Sequence, residues 1–325
     1  MSEPSGHELG ATMRRDFAVV VPAFDEAPVV PDLVRELREA FRRHDLHGEV
    51  LFVDDGSTDG TAELAEREAA DWPEFRVLRH GVNLGKTEAL LTASDATDKN
   101  HLVLFDADLQ HVPDEIPRFL EKLEEGWDIV TGRKIGQYDK RAVSSAYNKL
   151  SRKIFRVPVS DLNSMKAFRR SILEGIQLRH DWHRFFVVLA HARGASVTEI
   201  DIDLHPRRAG TSKFQGPFRI LVGMFDLVSV WFLLLFSRKP LLLFGGTGLA
   251  LAALGVLVAA VTTYLRFFHP MLGFEPYIPP MGYRPLLYLV MLLETVGFVL
   301  VGFGLVSEQV AQVRDELEAI RRQGR

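Results

Sequence analysis

No cysteine occurs in the 325 residues of this chain. Disulfide staples, thiolate catalysis and cysteine-ligated zinc are therefore excluded. Excess charge is missing too: 39 Lys and Arg stand against 43 Asp and Glu, a net charge of -4. The chain has no basic field of the kind that gathers nucleic acid. The polar stretch from Met1 to Asp16 contains no apolar core, so the sequence predicts a disordered tail over 1–15 and no cleavable signal peptide. Hydrophobic content is an ordinary 47%, but it is unevenly placed, with long apolar runs in the last third.

The first two thirds alternate short apolar runs with helical patterns. Strands are expected at Phe17 to Val21 (stopped by Pro22), Glu49 to Val53, Phe75 to Leu78, His101 to Phe105 and Asp128 to Thr131. A half-exposed edge strand is expected at Val197 to Asp203. The intervening helices include Val29 to Arg43, with Leu33, Leu37, Ala40 and Phe41 on one face. Others start near Thr87 and at Pro113, and one follows Asp59, for which Ser57 or Thr58 supplies a cap. This order predicts an α/β fold with a doubly wound, mostly parallel sheet.

Polar clusters recur where these strands end: Asp25-Glu26, Asp54-Asp55, Asn83 to Lys86, Asp106 to Gln110 and Gly132-Arg133. A row of them on one sheet edge describes a ligand crevice. Asp106 and Asp108 are spaced to point the same way from an extended segment. With Gln110 they form an all-oxygen donor set suited to Mg2+ or Mn2+, shared with substrate phosphates. His80, His101 and His111 are isolated, and none is assigned to a metal.

Taken in order, Val-Pro-Ala-Phe-Asp-Glu, Val-Asp-Asp-Gly-Ser-Thr-Asp-Gly-Thr, Asn-Leu-Gly-Lys and Asp-Ala-Asp-Leu-Gln resemble glycosyltransferase family 2, which has the GT-A fold. The stretches from Asp161 to Arg169 and from Arg207 to Phe214 narrow the likeness to its polyprenyl-phosphate glycosyltransferases. That group includes dolichyl-phosphate mannose synthases and bacterial undecaprenyl-phosphate sugar transferases. The first motif has Phe24-Asp25 where the family commonly has Tyr-Asn. The resemblance implies that Pro22, Phe24 and Glu26 line a nucleotide pocket, with Asp54 and Asp55 reading base and ribose. It places Lys86 and Arg133 near the sugar nucleotide, and Asp106, Asp108 and Gln110 on the metal. Arg207, Ser212 and Lys213 would meet donor or lipid phosphate. Arg207 and Arg208 also suit a membrane-surface anchor, Asp161 suits either a helix N-cap or a site role, and Asp59 and Thr61 suit helix capping.

The resemblance implies inverting transfer of one sugar from a UDP- or GDP-sugar to an undecaprenyl or dolichyl phosphate. A hydroxyl acceptor would need a general base, with Asp161 as the fallback. The Gln-x-x-Arg-Trp motif of polysaccharide synthases is missing, Asp181 to Arg184 being the nearest stretch. A non-catalytic sugar-nucleotide-binding scaffold is the third alternative.

Leu241 to Leu265 and Pro285 to Val306 are each long and apolar enough to span a bilayer. Their flanking basic residues predict that the catalytic domain and both termini face the cytoplasm, at the inner membrane. Within Phe218 to Phe236 the polar residues recur at helical spacing. That predicts an interfacial amphipathic helix, since spanning would bury Asp226 at ~3 kcal/mol. The second span contains Glu294, expected as a protonated carboxyl bonded to a neighbouring helix or protomer. Val306, Val310, Val313, Leu317 and Ile320 form a short a/d seam that points to a homo-oligomer. The expected organisation is a GT-A domain over 16–205, a basic juxtamembrane segment over 206–238, two transmembrane helices over 239–307 and a cytoplasmic helix over 308–325.

Overall fold

The computed structural model describes residues 9–135, 155, 157–162, 164–174, 176, 185–206, 225, 228–232, 234, 240–273 and 283–323. It divides into two compact units, Met1–Met224 and Phe225–Arg325.

In the first unit the elements run β1 (Phe17–Ala23), α1 (Val30–Arg43), β2 (Glu49–Asp54), α2 (Thr61–Glu68), β3 (Phe75–Arg79), α3 (Lys86–Asp95), β4 (His101–Leu104), α4 (Ile116–Glu124), β5 (Ile129–Ile135), β6 (Lys166–Arg169), α5 (Phe186–Ala192) and β7 (Val197–Asp203). They build one seven-stranded sheet in the order β3-β2-β1-β4-β6-β5-β7. Every neighbouring pair is parallel except those made by β6, which runs antiparallel to both β4 and β5. All strands but β6 therefore end on one edge.

β1 lies at the centre because Phe17 to Val21 offers apolar side chains to both faces, and all five are buried. It does not stop at Pro22. Val20 O still accepts Phe105 N on the β4 side, and Pro22, two residues on, faces the same way where the β4 ladder has already ended. The missing N–H therefore costs no bond, and the strand continues to Ala23 beside Asp54. α1 buries the predicted Leu33, Leu37, Ala40 and Phe41 together with Val30 and Val34. Phe41 packs on Phe17 and edge-on against Trp72.

Ser57 and Thr58 do not cap α2. Gly60 stands at its N-cap without a side-chain bond, and Asp59 Oδ1 accepts Thr61 N at 3.1 Å. Ser57 Oγ instead accepts Asp25 N at 2.8 Å, and Thr58 N donates to Asp25 Oδ1 at 2.9 Å. The loops after β1 and β2 are thus laced together.

In the second unit, α6 (Pro240–Thr263) continues as a π-helical turn over Tyr264–Phe268. α7 (Tyr283–Gln323) is one unbroken helix of 41 residues, so the second span and the expected C-terminal helix are continuous. The segments Pro240–Phe268 and Arg284–Val313 are long and apolar enough to cross a membrane, and both are mostly exposed. The two helices pack antiparallel on small residues. A Cβ built on Gly248 would meet Gly297 O at 2.5 Å, and one on Gly255 would meet Glu294 Oε1 at 2.8 Å. Glu294 therefore faces its neighbouring helix. Glu308 Oε2 accepts Leu241 N at 3.1 Å, satisfying a donor in the first turn of α6. The seam residues from Val306 to Ile320 are exposed. Most of Phe218 to Phe236, including Asp226, lies outside the described residues.

Candidate active site

The carboxyl edge of the sheet gathers the polar clusters. After β2 the chain turns at Gly56 with φ +78, and a Cβ there would meet Val82 C at 2.5 Å. The Asp54-Asp55 loop thus lies directly against the loop after β3. Asp55 is buried, and its two oxygens accept Leu84 N at 2.8 Å and Gly85 N at 2.7 Å. His80 bridges Asp55 and Thr92 at 2.8 and 2.9 Å. Asp55 therefore shapes the Asn83–Lys86 loop. Asp54, also buried, accepts Ser57 N at 3.4 Å. Pro22 and Phe24 are half-buried on β1 and just beyond it. Glu26 N donates to Thr61 Oγ1 at 2.9 Å, which gives Thr61 a loop-holding role besides its place in the helix.

Lys86 opens α3 and reaches Asp106, with which it forms an ion pair. Burial works to raise the Asp106 pKa, but the Lys86 charge and hydrogen bond, aided by His111 and Lys134, hold the carboxyl well below its usual range. Asp108 is buried, and its Oδ1 accepts Gln110 N at 3.2 Å across Leu109. Leu109 adopts φ +52 with its side chain in the core. That left-handed conformation is uncommon for a leucine and turns the chain sharply between the two donors. Gln110 O accepts His205 N at 2.9 Å, so the chain leaves β7 beside this loop.

Asp161 is not a helix N-cap; it lies buried in the loop that leads into β6. Lys134 Nζ stands 3.4 Å from Asp161 Oδ2. Lys166 on β6 is wholly buried and donates to Leu162 O at 3.1 Å. Burial, reinforced by Lys86, pushes its ammonium down to about 7 against the pull of Asp106 and Asp161. His111 is buried with Nδ1 unpartnered, and burial pushes it down to about 4, so it is neutral at neutral pH. Asp106, Asp161, Lys86 and Lys134 all act on His111 and on Lys166, which marks them as one electrostatic cluster.

The structure thus brings Lys86, Asp106, Asp108, Gln110 and Asp161 of the predicted residues to one edge. Arg133 stands apart, forked onto Asp201 of β7 at 2.5 and 2.8 Å with its side chain half-exposed. Arg207, Ser212 and Lys213 lie outside the described residues, as does the Asp181–Arg184 stretch. Sequence reasoning missed Lys134, His111 and Lys166. Lys134 was overshadowed by its neighbour Arg133, and Lys166 sits in a strand too short to show a period.

Among the described residues no three His, Asp or Glu side chains form a metal cluster by themselves. Two carboxylates and an amide fit a hard cation that completes its shell with substrate phosphate and water. The Lys86 ammonium on Asp106 shows that this carboxylate already takes a cationic partner.

The sequence model of glycosyl transferase family 2 matches residues 18–193. The undecaprenyl-phosphate 4-deoxy-4-formamido-L-arabinose transferase of Pseudomonas fluorescens is 32% identical over 257 residues, 77% of this chain and 73% of that protein. The dodecaprenyl-phosphate galacturonate synthase of Rhizobium johnstonii is 29% identical over 306 residues, 91% of this chain and 88% of that one. Among solved structures, glucosyl-3-phosphoglycerate synthase from Mycobacterium tuberculosis, crystallised with Mn2+, UDP and glucosyl-3-phosphoglycerate, is similar in fold. Its TM-score is 0.55 at 20% identity, covering 73% of this chain and 86% of that one. The chain belongs to glycosyl transferase family 2, alongside that family's polyprenyl-phosphate sugar transferases.

Proposed function

We propose that this glycosyltransferase moves a single sugar, with inversion, from a UDP- or GDP-sugar to a polyprenyl phosphate at the cytoplasmic face of the inner membrane. One observation carries the reading. The cluster of Lys86, Asp106, Lys134 and Asp161 lies at the sheet edge of a chain whose relatives, along most of its length, are named for sugar transfer to undecaprenyl or dodecaprenyl phosphate.

The donor departs as a nucleotide diphosphate, and the edge must stabilise that charge as it develops. Asp106, Asp108 and Gln110 would hold Mg2+ or Mn2+, which neutralises the leaving diphosphate. Lys86 is placed to turn from Asp106 to a phosphate oxygen once another cation takes that carboxylate. A phosphate monoester acceptor has a second pKa of about 6 and attacks without a general base. The site then needs positioning, with the attacking oxygen in line behind the anomeric carbon. Asp161, paired with Lys134 at 3.4 Å, is arranged to hold a group in place. Arg207, Ser212 and Lys213 would hold the lipid phosphate. The hairpin of α6 and α7 would anchor the chain, and the exposed seam of α7 would join it to a second copy.

The test is radiolabelled sugar transfer to undecaprenyl phosphate by purified full-length protein in detergent. UDP- and GDP-sugars are each tried with Mn2+, Mg2+ or EDTA. An acid-labile lipid product from one donor, lost in EDTA and in Asp108→Ala, is expected. Donor hydrolysis or transfer to an added glycan, with no lipid product, would overturn the reading in favour of a hydroxyl acceptor.

A further inference from the structure

Asp161 sits on a loop, yet a group that orients a reacting partner must be held to about half an ångström. Val157, Val159 and Leu162 are buried and anchor the loop on its apolar side. The polar side is fastened from β7. One carboxylate, Glu199, accepts Ser160 N, accepts the Ser160 hydroxyl at 2.9 Å on each oxygen, and accepts Asp161 N at 3.2 Å. Glu199 pairs in register with Thr131 of β5, so its backbone is fixed by the sheet. Two more strands complete the cradle. Lys134 of β5 meets the Asp161 carboxylate at 3.4 Å, and Lys166 of β6 donates to Leu162 O at 3.1 Å.

We infer that Glu199 is a positioning residue for transfer, fixing the backbone of Asp161 so that its carboxylate is presented to the reacting groups. The inference rests on the functional reading above. Charge-assisted bonds to two successive backbone amides are shorter and stronger than neutral ones. They fix the peptide plane that carries the side chain, whereas Lys134 fixes only its tip. The bonds of Glu199 go to Ser160 and Asp161, whereas donor binding falls to the groups around Lys86 and Asp106.

Glu199→Ala removes every bond, Glu199→Gln keeps an accepting oxygen for both amides, and Glu199→Asp keeps the charge but shortens the reach by one methylene. Each full-length variant is assayed for kcat and donor KM with undecaprenyl phosphate, and for amide hydrogen exchange over 157–165. Glu199→Ala should lower kcat by about tenfold to a hundredfold with donor KM within about twofold of wild type. Exchange at 160 and 161 should lose its protection. Glu199→Gln should restore kcat to within about threefold, and Glu199→Asp should resemble alanine. The assignment is overturned by wild-type kcat in the alanine or aspartate variant, by donor KM rising in step with the loss of kcat, or by glutamine failing to rescue. Wild-type protein that transfers to no polyprenyl phosphate sinks the functional reading instead. If the alanine variant does not fold, the aspartate and glutamine variants alone decide.

Discussion

Replacing Asp55 with alanine should unfasten the loop that presents Lys86. The buried Asp55 carboxylate accepts Leu84 N at 2.8 Å and Gly85 N at 2.7 Å, with His80 Nδ1 at 2.8 Å. Hydrogen bonds to a charged group contribute ~1.5–3 kcal/mol each, so the two backbone donors alone carry ~3–6 kcal/mol. Leu84 is 41% exposed, and water will satisfy part of what the carboxylate gave up. The lower end, ~3 kcal/mol, is expected. In a domain of this size 1 kcal/mol moves the melting temperature by about 2–4 °C, so Asp55→Ala should melt about 6–12 °C lower. The measurement is thermal unfolding of the detergent-solubilised full chain followed by tryptophan fluorescence, since Trp72 and Trp127 lie in the first unit. Asp55→Asn keeps the volume and one accepting oxygen and should lose roughly half as much. Donor affinity should weaken about tenfold in Asp55→Ala, because Lys86 is no longer held towards Asp106. Melting within about 2 °C of wild type would refute the argument. So would an asparagine variant as unstable as the alanine.

Two further outcomes are expected. Lys166, lowered to about 7 from an ordinary 10.5 chiefly by burial, binds fewer protons folded than unfolded between those values. Stability should therefore rise with pH across that window, and the full penalty of charging applies below it. Lys166→Met should be more stable than wild type near pH 6 and flat from about pH 7 to 10, measured by urea unfolding in EDTA; an unchanged slope would count against a buried ammonium. Gly248→Leu should separate α6 from α7, because its Cβ would fall 2.5 Å from Gly297 O and 2.9 Å from Val301 N. Overpacking of this kind costs ~1–3 kcal/mol, read as lost resistance of the hairpin to SDS, whereas Gly246→Leu, where the space is open, should cost far less.

The parts of the fold that carry long apolar runs were legible in the sequence: the five parallel strands, the edge strand β7, the amphipathic face of α1 and both apolar helices. β6 was not. Its four residues include the buried Lys166 and the partly buried Arg169, and a strand of that length shows no alternation to count. The acids and the lysine at strand ends were legible because their residue types and order are distinctive. Their division of labour was not. Asp54-Asp55 reads as a ligand-binding pair, and that Asp55 also holds two backbone donors from a loop thirty residues later is something no local pattern encodes. Glu199 reads as the outer-face acid of an edge strand, and only the folded loop opposite it gives it partners. Continuity of α7 past the second span was hidden by the change from apolar to charged composition, which the helix tolerates.

β5 runs towards the ligand edge and β6 runs back from it. The loop from Val157 that enters β6 therefore meets the sheet at the same edge where β1, β2 and β4 end, and Lys166, the first residue of β6, sits beside Leu104 and Thr131. A parallel strand can furnish that edge only with the residues that follow it; the single reversed strand furnishes it with the residues that precede it. One four-residue strand run backwards thus doubles the ways in which the chain can deliver a carboxylate to the crevice, and Asp161 arrives by the second of them.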